Sequence, residues 1–192
     1  MINESGNCLE TDRLVLEPLC REHAGHLFPV LSDPGIYSFI PQDPPSSVLE
    51  LEARYRRLET GKSPSGDELW LNWAIRLKRQ GSYAGTVQAT VRKDRTSLLA
   101  YELSTQFRGN GYASEACSRV IESLFTHYDV AEIVAEVDTR NAASCRLLER
   151  LAFVRVLTRT QVDFFKGEPS DEYTYKLYRD NCERLRGIDF TD

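Results

Sequence analysis

Gln106-Phe107-Arg108-Gly109-Asn110-Gly111-Tyr112-Ala113-Ser114-Glu115 is the stretch on which the reading of this chain turns. Two glycines two residues apart let the backbone take positive φ and approach a ligand closely. Directly after them the apolar period becomes helical. Ala113, Ala116, Cys117, Val120, Ile121, Leu124 and Phe125 fall on one broad stripe. A helix starting there leaves its first amides unbonded and turns the positive end of its dipole to the loop. That combination suits a pyrophosphate, and Arg108 adds a full positive charge. A Gln/Arg-x-x-Gly-x-Gly/Ala string arises by chance about 0.2 times in a chain of this length. The surrounding elements must therefore carry the argument.

Upstream, Leu69, Leu71, Trp73, Ile75 and Leu77 alternate and share one face of a strand. Tyr83 to Val91 and Leu98 to Leu103 give two more strands, separated by short polar turns, which predicts an antiparallel meander. Downstream, Ile133 to Val137 reads as a strand again, so strand, helix and strand make a right-handed parallel crossover. Asn141 then caps a second helix carrying Leu147, Leu148 and Leu151. Farther out, residues 1–9 read as a loose start and Arg13 to Leu19 as a short strand. Residues 21–32 read as a helix, and Ser46 or Ser47 caps another running to about Glu59. Strands at about Phe153–Phe165 and Glu172–Tyr178 flank a turn at 166–170. The predicted fold class is α/β, a mixed sheet of about seven strands, flanked by helices, in which the meander joins the parallel crossover.

The chain has 192 residues, which predicts one domain over 1–192 with its core at about 10–180. Its 24 basic and 29 acidic side chains give a net charge of −5. That balance argues against a nucleic-acid or anionic-membrane surface and favours a cationic or neutral substrate. Five cysteines form no Cys-x-x-Cys pair and three histidines show no ligand spacing, so no metal is expected. No leader or membrane-spanning run is readable, and a reducing cytoplasm is the expected location.

Ligands in α/β sheets bind beyond the carboxyl ends of strands, where both the glycine loop and Asn141-Ala142-Ala143-Ser144 fall. With Leu147 to Phe153, these segments resemble the GCN5-related N-acetyltransferase (GNAT) superfamily, and within it the ribosomal-protein alanine acetyltransferases of the RimJ/RimL branch. The likeness runs from about Thr11 to Tyr178. It implies acetyl-CoA as donor, with the pyrophosphate on Arg108, Gly109, Asn110 and Gly111 and on the amides of Ala113 and Ser114. It also implies that the pantetheine arm pairs with the strand edge at Leu103, Ser104 and Thr105, where an amide polarises the thioester carbonyl, and that Asn141 bonds the pantetheine end.

Acetyl transfer to an amine must remove a proton from an ammonium and stabilise a leaving thiolate. Many members of the superfamily supply the acid from a tyrosine at the position of Leu148 here. The branch this chain resembles has a serine where Ser144 stands, so Ser144 is the expected acid. Glu102 is the expected base, since strand alternation puts it on the face opposite Tyr101 and Leu103; Asp163 and Asp138 are held in reserve. The expected acceptor is a primary amine, on a protein N-terminus or a small molecule, attacked in a ternary complex by a monomer or homodimer. The alternative is a non-catalytic acyl-CoA sensor of the same fold. A nucleotide loop is disfavoured because the string lacks a Gly-Lys-Ser/Thr ending.

Other residues read more plainly. Trp70 and Trp73 lie on opposite faces of one strand, so one of them is core. Cys145 reads as packing rather than as a nucleophile, and the histidines as structural or exposed. Arg54-Tyr55-Arg56-Arg57 reads as a solvated helix face. Ala152 and Glu17 replace the glycine and arginine common in the family, and the region from Gln42 to Gly66, which shapes the acceptor site in relatives, is particular to this chain.

Overall fold

Alternating apolar residues build a sheet of eight strands in the computed structural model, which describes residues 7–180. The strands are β1 (Leu9–Glu10), β2 (Leu14–Pro18), β3 (Glu68–Leu77), β4 (Tyr83–Arg92), β5 (Thr96–Leu103), β6 (Glu132–Asp138), β7 (Val154–Phe165) and β8 (Glu168–Tyr178). Their order across the sheet is β1-β2-β3-β4-β5-β6-β8-β7. Every neighbouring pair is antiparallel except β5 and β6. This is the predicted mixed α/β sheet, with one short strand, β1, in the segment expected to be loose.

The two faces carry different helices. Leu71, Trp73, Ile75 and Leu77 of β3 join Val87, Ala89, Leu99 and Leu103 in a core beneath α3 (Tyr112–His127) and α4 (Ala142–Arg150). Ala116, Cys117, Val120, Ile121 and Leu124 supply the apolar stripe of α3, all fully buried. On the other face, Ala74 packs with Leu27 and Leu31 of α1 (Ala24–Leu31) and with Leu51 and Tyr55 of α2 (Val48–Leu58). Ser47 caps α2 by accepting from the Glu50 amide, as its sequence predicts.

Three boundaries differ from expectation. The helix read over 21–32 opens as a 3₁₀ turn at Arg21–His23 before α1 begins. The β7–β8 turn shrinks to Lys166-Gly167, both at positive φ, as in a tight primed hairpin. Pro169 thereby falls inside β8. It is tolerated there because the β6 pairing of β8 begins only at Glu172, so no ladder bond to β6 is lost.

The feature that positions the site is a divergence. β5 and β6 pair only where Thr96–Leu98 meets Glu132–Val134. β5 then continues against β4 as far as Leu103↔Gly85, while β6 continues against β8 as far as Asp138↔Glu172. A wedge opens between the two strands toward their carboxyl ends.

Candidate active site

The glycine loop sits at the mouth of this wedge. Gly109 and Gly111 have φ of 77° and 75°, the left-handed region that an L side chain rarely adopts. Gly111 is the N-cap of α3, and no side chain of the described residues caps that end. The first-turn amides, including those of Ala113 and Ser114, therefore have no side-chain partner at the positive end of the helix dipole. Asn110 folds inward, donating from Nδ2 to the carbonyls of Phe107 and Arg108. The loop is braced from behind: Arg13 donates to the Asn110 carbonyl at 2.9 Å and pairs with Glu115 at 2.6 Å.

Leu103 is the last residue of β5. The Ser104 amide bonds the Ala84 carbonyl on β4. Peptide groups alternate between the two edges of a strand, so those of Leu103 turn toward the wedge. Ser104 and Thr105 leave the strand, and Thr105–Phe107 forms a 3₁₀ turn. Asp33 holds that turn. Its Oδ2 accepts from the Ser104 hydroxyl at 3.0 Å, the Thr105 amide at 2.7 Å and the Thr105 hydroxyl at 2.6 Å. These bonds, Thr105 foremost, outweigh burial and pull the Asp33 carboxyl down to about 2. The Thr105 amide is thus engaged by the protein rather than presented at the edge. Arg108 lies beside it, donating to the Gly35 carbonyl at 3.0 Å.

Across the wedge, Asn141 caps α4, its Oδ1 accepting from the Ser144 amide at 3.1 Å. The Ser144 hydroxyl lies 2.5 Å from the Tyr101 phenol. Burial pushes that phenol above its ordinary range, and the contact with Ser144 opposes the rise. The pair joins β5 to α4 across the gap.

Glu102 occupies the opposite face of β5, as alternation requires. Thr86, its register partner on β4, donates to it at 3.4 Å. Two buried tyrosines lie within its electrostatic reach: Tyr37 from the 3₁₀ turn Pro34–Phe39 and Tyr55 from α2. Burial raises both phenols, the charge of Glu102 raises them further, and Arg54 opposes. Tyr37 and Tyr55 are 1% and 2% exposed, and neither hydroxyl has a hydrogen-bond partner among the described residues.

The reserve acids stand elsewhere. Asp138 is buried and committed to structure. It accepts from the Arg140 amide and guanidinium and from the Ser170 hydroxyl, and these bonds lower its carboxyl although burial alone would raise it. Asp163 is exposed on β7 and accepts from the neighbouring Phe164 amide. Trp73 is the core tryptophan, its indole donating to the Asn7 carbonyl at 2.9 Å. Cys145 packs against the main core. Glu17 binds Arg76, Tyr83 and His23, so His23 is structural. The basic run on α2 is not a uniformly solvated face, because Tyr55 within it is buried. Sequence reading did not single out Tyr101, Asp33, Tyr37 or Tyr55. Only Tyr101 left a signal, as the alternation partner of Glu102.

The family model described as an acetyltransferase (GNAT) domain matches residues 13–154. The uncharacterized N-acetyltransferase YoaA of Bacillus subtilis is 27% identical over 173 residues, which cover 89% of this chain and 96% of that protein. RimL, a ribosomal L7/L12 alpha-N-protein acetyltransferase solved with coenzyme A, superposes with a TM-score of 0.80 at 18% identity, over 91% of this chain and 99% of that one. Spermidine N-acetyltransferase from Vibrio cholerae, solved with CoA and spermine, superposes with a TM-score of 0.77 at 19% identity, over 90% and 99%. At such identities the two solved structures speak to the fold.

Proposed function

This chain belongs to the acetyltransferase (GNAT) family and is an acetyl-CoA-using N-acetyltransferase, and on that premise we propose that it acetylates a primary amine by direct attack in a ternary complex. The observation that carries the proposal is the wedge between β5 and β6, with an uncapped helix end and two left-handed glycines at its mouth. An extended amide chain finds the free edge at Leu103, and a pyrophosphate finds the amides of α3.

In this reading Gly109, Asn110, Gly111, Ala113 and Ser114 present backbone to the pyrophosphate, and Arg108 exchanges the Gly35 carbonyl for a phosphate oxygen. Ser104 and Thr105 contribute indirectly: through Asp33 they fix the end of the strand. Asn141 keeps its Nδ2 for the pantetheine end while its Oδ1 caps α4. Acetyl-CoA supplies the activated acyl group. Glu102 takes the ammonium proton, directly or through water, and the freed nitrogen attacks the thioester carbonyl. The Ser144 hydroxyl gives a proton to the departing sulfur and is replenished from Tyr101. The acceptor is a protein N-terminal amine or a small-molecule amine.

Thermal unfolding with acetyl-CoA, CoA, ATP and NADPH tests the donor site. A ligand at about 100 times its dissociation constant adds about 2.7 kcal/mol to stability. A rise in Tm with acetyl-CoA and CoA, and none with ATP or NADPH, is the expected result. No shift at millimolar acetyl-CoA would overturn the site assignment.

A further inference from the structure

α2 and the loop before it line an open cleft of about 390 Å³. Its charged lining residues are Asp43, Glu50 and Arg54. Both acids are already engaged. Asp43 pairs with Lys166 from the β7–β8 turn at 3.2 Å, and the same lysine donates to the Gln42 carbonyl at 3.0 Å. Glu50 stands four residues before Arg54, the spacing at which helical ion pairs form. It turns away instead, and its Oε2 accepts from the Ser46 amide at 2.9 Å and the Ser46 hydroxyl at 2.5 Å. Arg54 makes no ion pair or hydrogen bond among the described residues, although it is partly buried and its charge is felt at Glu50, Tyr37 and Tyr55.

The register puts the helix that lines this cleft on the sheet face that carries Glu102. Ala74 pairs with Thr86, and Thr86 pairs with Glu102, so the three stand in one row across the sheet. Tyr55 shares a buried cluster with Ala74, and it follows Arg54 directly on α2. With strands about 4.8 Å apart, Glu102 lies two strand spacings, about 10 Å, from Ala74. Tyr37 and Tyr55 each feel both the carboxylate of Glu102 and the guanidinium of Arg54, and their buried hydroxyls have no hydrogen-bond partner among the described residues. Glu102 and Arg54 thus offer a negative and a positive group on the same face of the sheet, both felt at the same two phenols, and together they complement a ligand that carries both an ammonium and an anion.

We propose that the acceptor bears a carboxylate or similar anionic group near its amine, and that Arg54 is the residue that selects it. Arginine suits this because its planar fork meets a carboxylate with two parallel bonds. Two sources present that chemistry: a free amino acid, and a peptide N-terminus followed by an acidic residue. The inference rests on the acetyltransferase reading above and adds the class of acceptor.

The test uses the full chain with acetyl-CoA and matched acceptor pairs. One pair is an α-amino acid and its carboxamide. The other is a pentapeptide with glutamate or glutamine at its second position. The carboxylate member of at least one pair is expected to show kcat/KM higher by about tenfold or more, the scale of a charge-assisted bond. In Arg54→Met that ratio collapses to within about twofold, chiefly through KM, and Arg54→Lys keeps part of it. The pair that responds identifies the source. A wild-type preference for neutral or cationic members, an unchanged ratio in Arg54→Met, or failure of both carboxylate members to be acetylated overturns the inference. Acetyl-CoA thermal shifts on both proteins keep the two ideas apart. A shift in the wild type without charge preference defeats this inference alone, whereas no shift defeats the donor site as well.

Discussion

The phenolic oxygen of Tyr101 lies 2.5 Å from the hydroxyl of Ser144, and that contact joins β5 to α4 beside the proposed thioester site. A serine hydroxyl alone is a poor proton donor, whereas a phenol behind it can refill it. Ser144→Ala and Tyr101→Phe should each lower kcat, by about 10²-fold at the low end for positioned acid catalysis. Acetyl-CoA binding, read by thermal shift, should persist in both. If the two losses are independent, the double variant will multiply them; a relay predicts that it is little worse than Ser144→Ala. Undiminished turnover in Ser144→Ala would remove the serine from the mechanism.

Glu102 is fixed by backbone as much as by its own contacts. At Gly85, a Cβ would lie 1.9 Å from the Glu102 carbonyl oxygen, too close for any side chain. Gly85→Ala should therefore push the end of β5 outward and lower both Tm and turnover. Glu102→Gln keeps the shape and removes only the base, so it should lower kcat/KM by about 10²- to 10⁴-fold with little change in Tm. A steady-state assay beside a melting curve separates the two effects. Equal activity in Glu102→Gln and wild type would transfer the base role elsewhere, and Asp138 is a poor heir because Arg140 and Ser170 already occupy it.

Asp33 gives a prediction in pH. Its carboxyl is held at about 2, below the ordinary 3.8, chiefly by the Thr105 hydroxyl and amide. A group depressed in the folded state adds stability that is complete above its unfolded pKa and lost as pH falls through the folded one. The contribution should be full above about pH 4 and gone near pH 2, and with solvent screening it amounts to about 1 kcal/mol. Denaturant midpoints for the wild type and Asp33→Asn should differ most near neutrality and converge in acid. A constant difference across that window would show that the charge of Asp33 does not stabilise the turn. The same variant frees Thr105 and the end of β5, so KM for acetyl-CoA should rise.

Local signals made much of this legible in advance. Gly109 and Gly111 announce positive φ because few other residues tolerate it, and the stripe of α3 announces which face is buried. Alternation placed Glu102 and Tyr101 on opposite faces of β5 before either had a partner. The wedge was not readable from periodicity, because it depends on pairing that stops at Leu98 and Val134, a matter of three-dimensional register. Asp33 was equally hidden. It lies some seventy residues before the turn it holds, and nothing in its local sequence points to Thr105. The basic run on α2 was legible in part: Arg56 and Arg57 are exposed as a solvated face requires, whereas Tyr55 is buried and Arg54 is partly buried beside it.

Ala152 closes α4 in a conformation made for glycine. Its φ is 63°, its amide donates to the Glu149 carbonyl at 3.0 Å, and the Phe153 amide donates to the Leu148 carbonyl at 3.0 Å. Those two bonds, with Leu148 and Phe153 both buried, make a Schellman cap. A left-handed alanine carries a strain of about 1–2 kcal/mol. Replacement by glycine removes that strain and adds about 0.4–1 kcal/mol of unfolded-state entropy against the fold. The net gain for Ala152→Gly is about 0.5–1 kcal/mol, or about 1–4 °C in Tm for a chain of this length. Calorimetry on the two proteins decides it. A lower Tm in the glycine variant would mean that the methyl group packs well enough against its neighbours to outweigh the backbone strain, and that the alanine is there for contact rather than by tolerance.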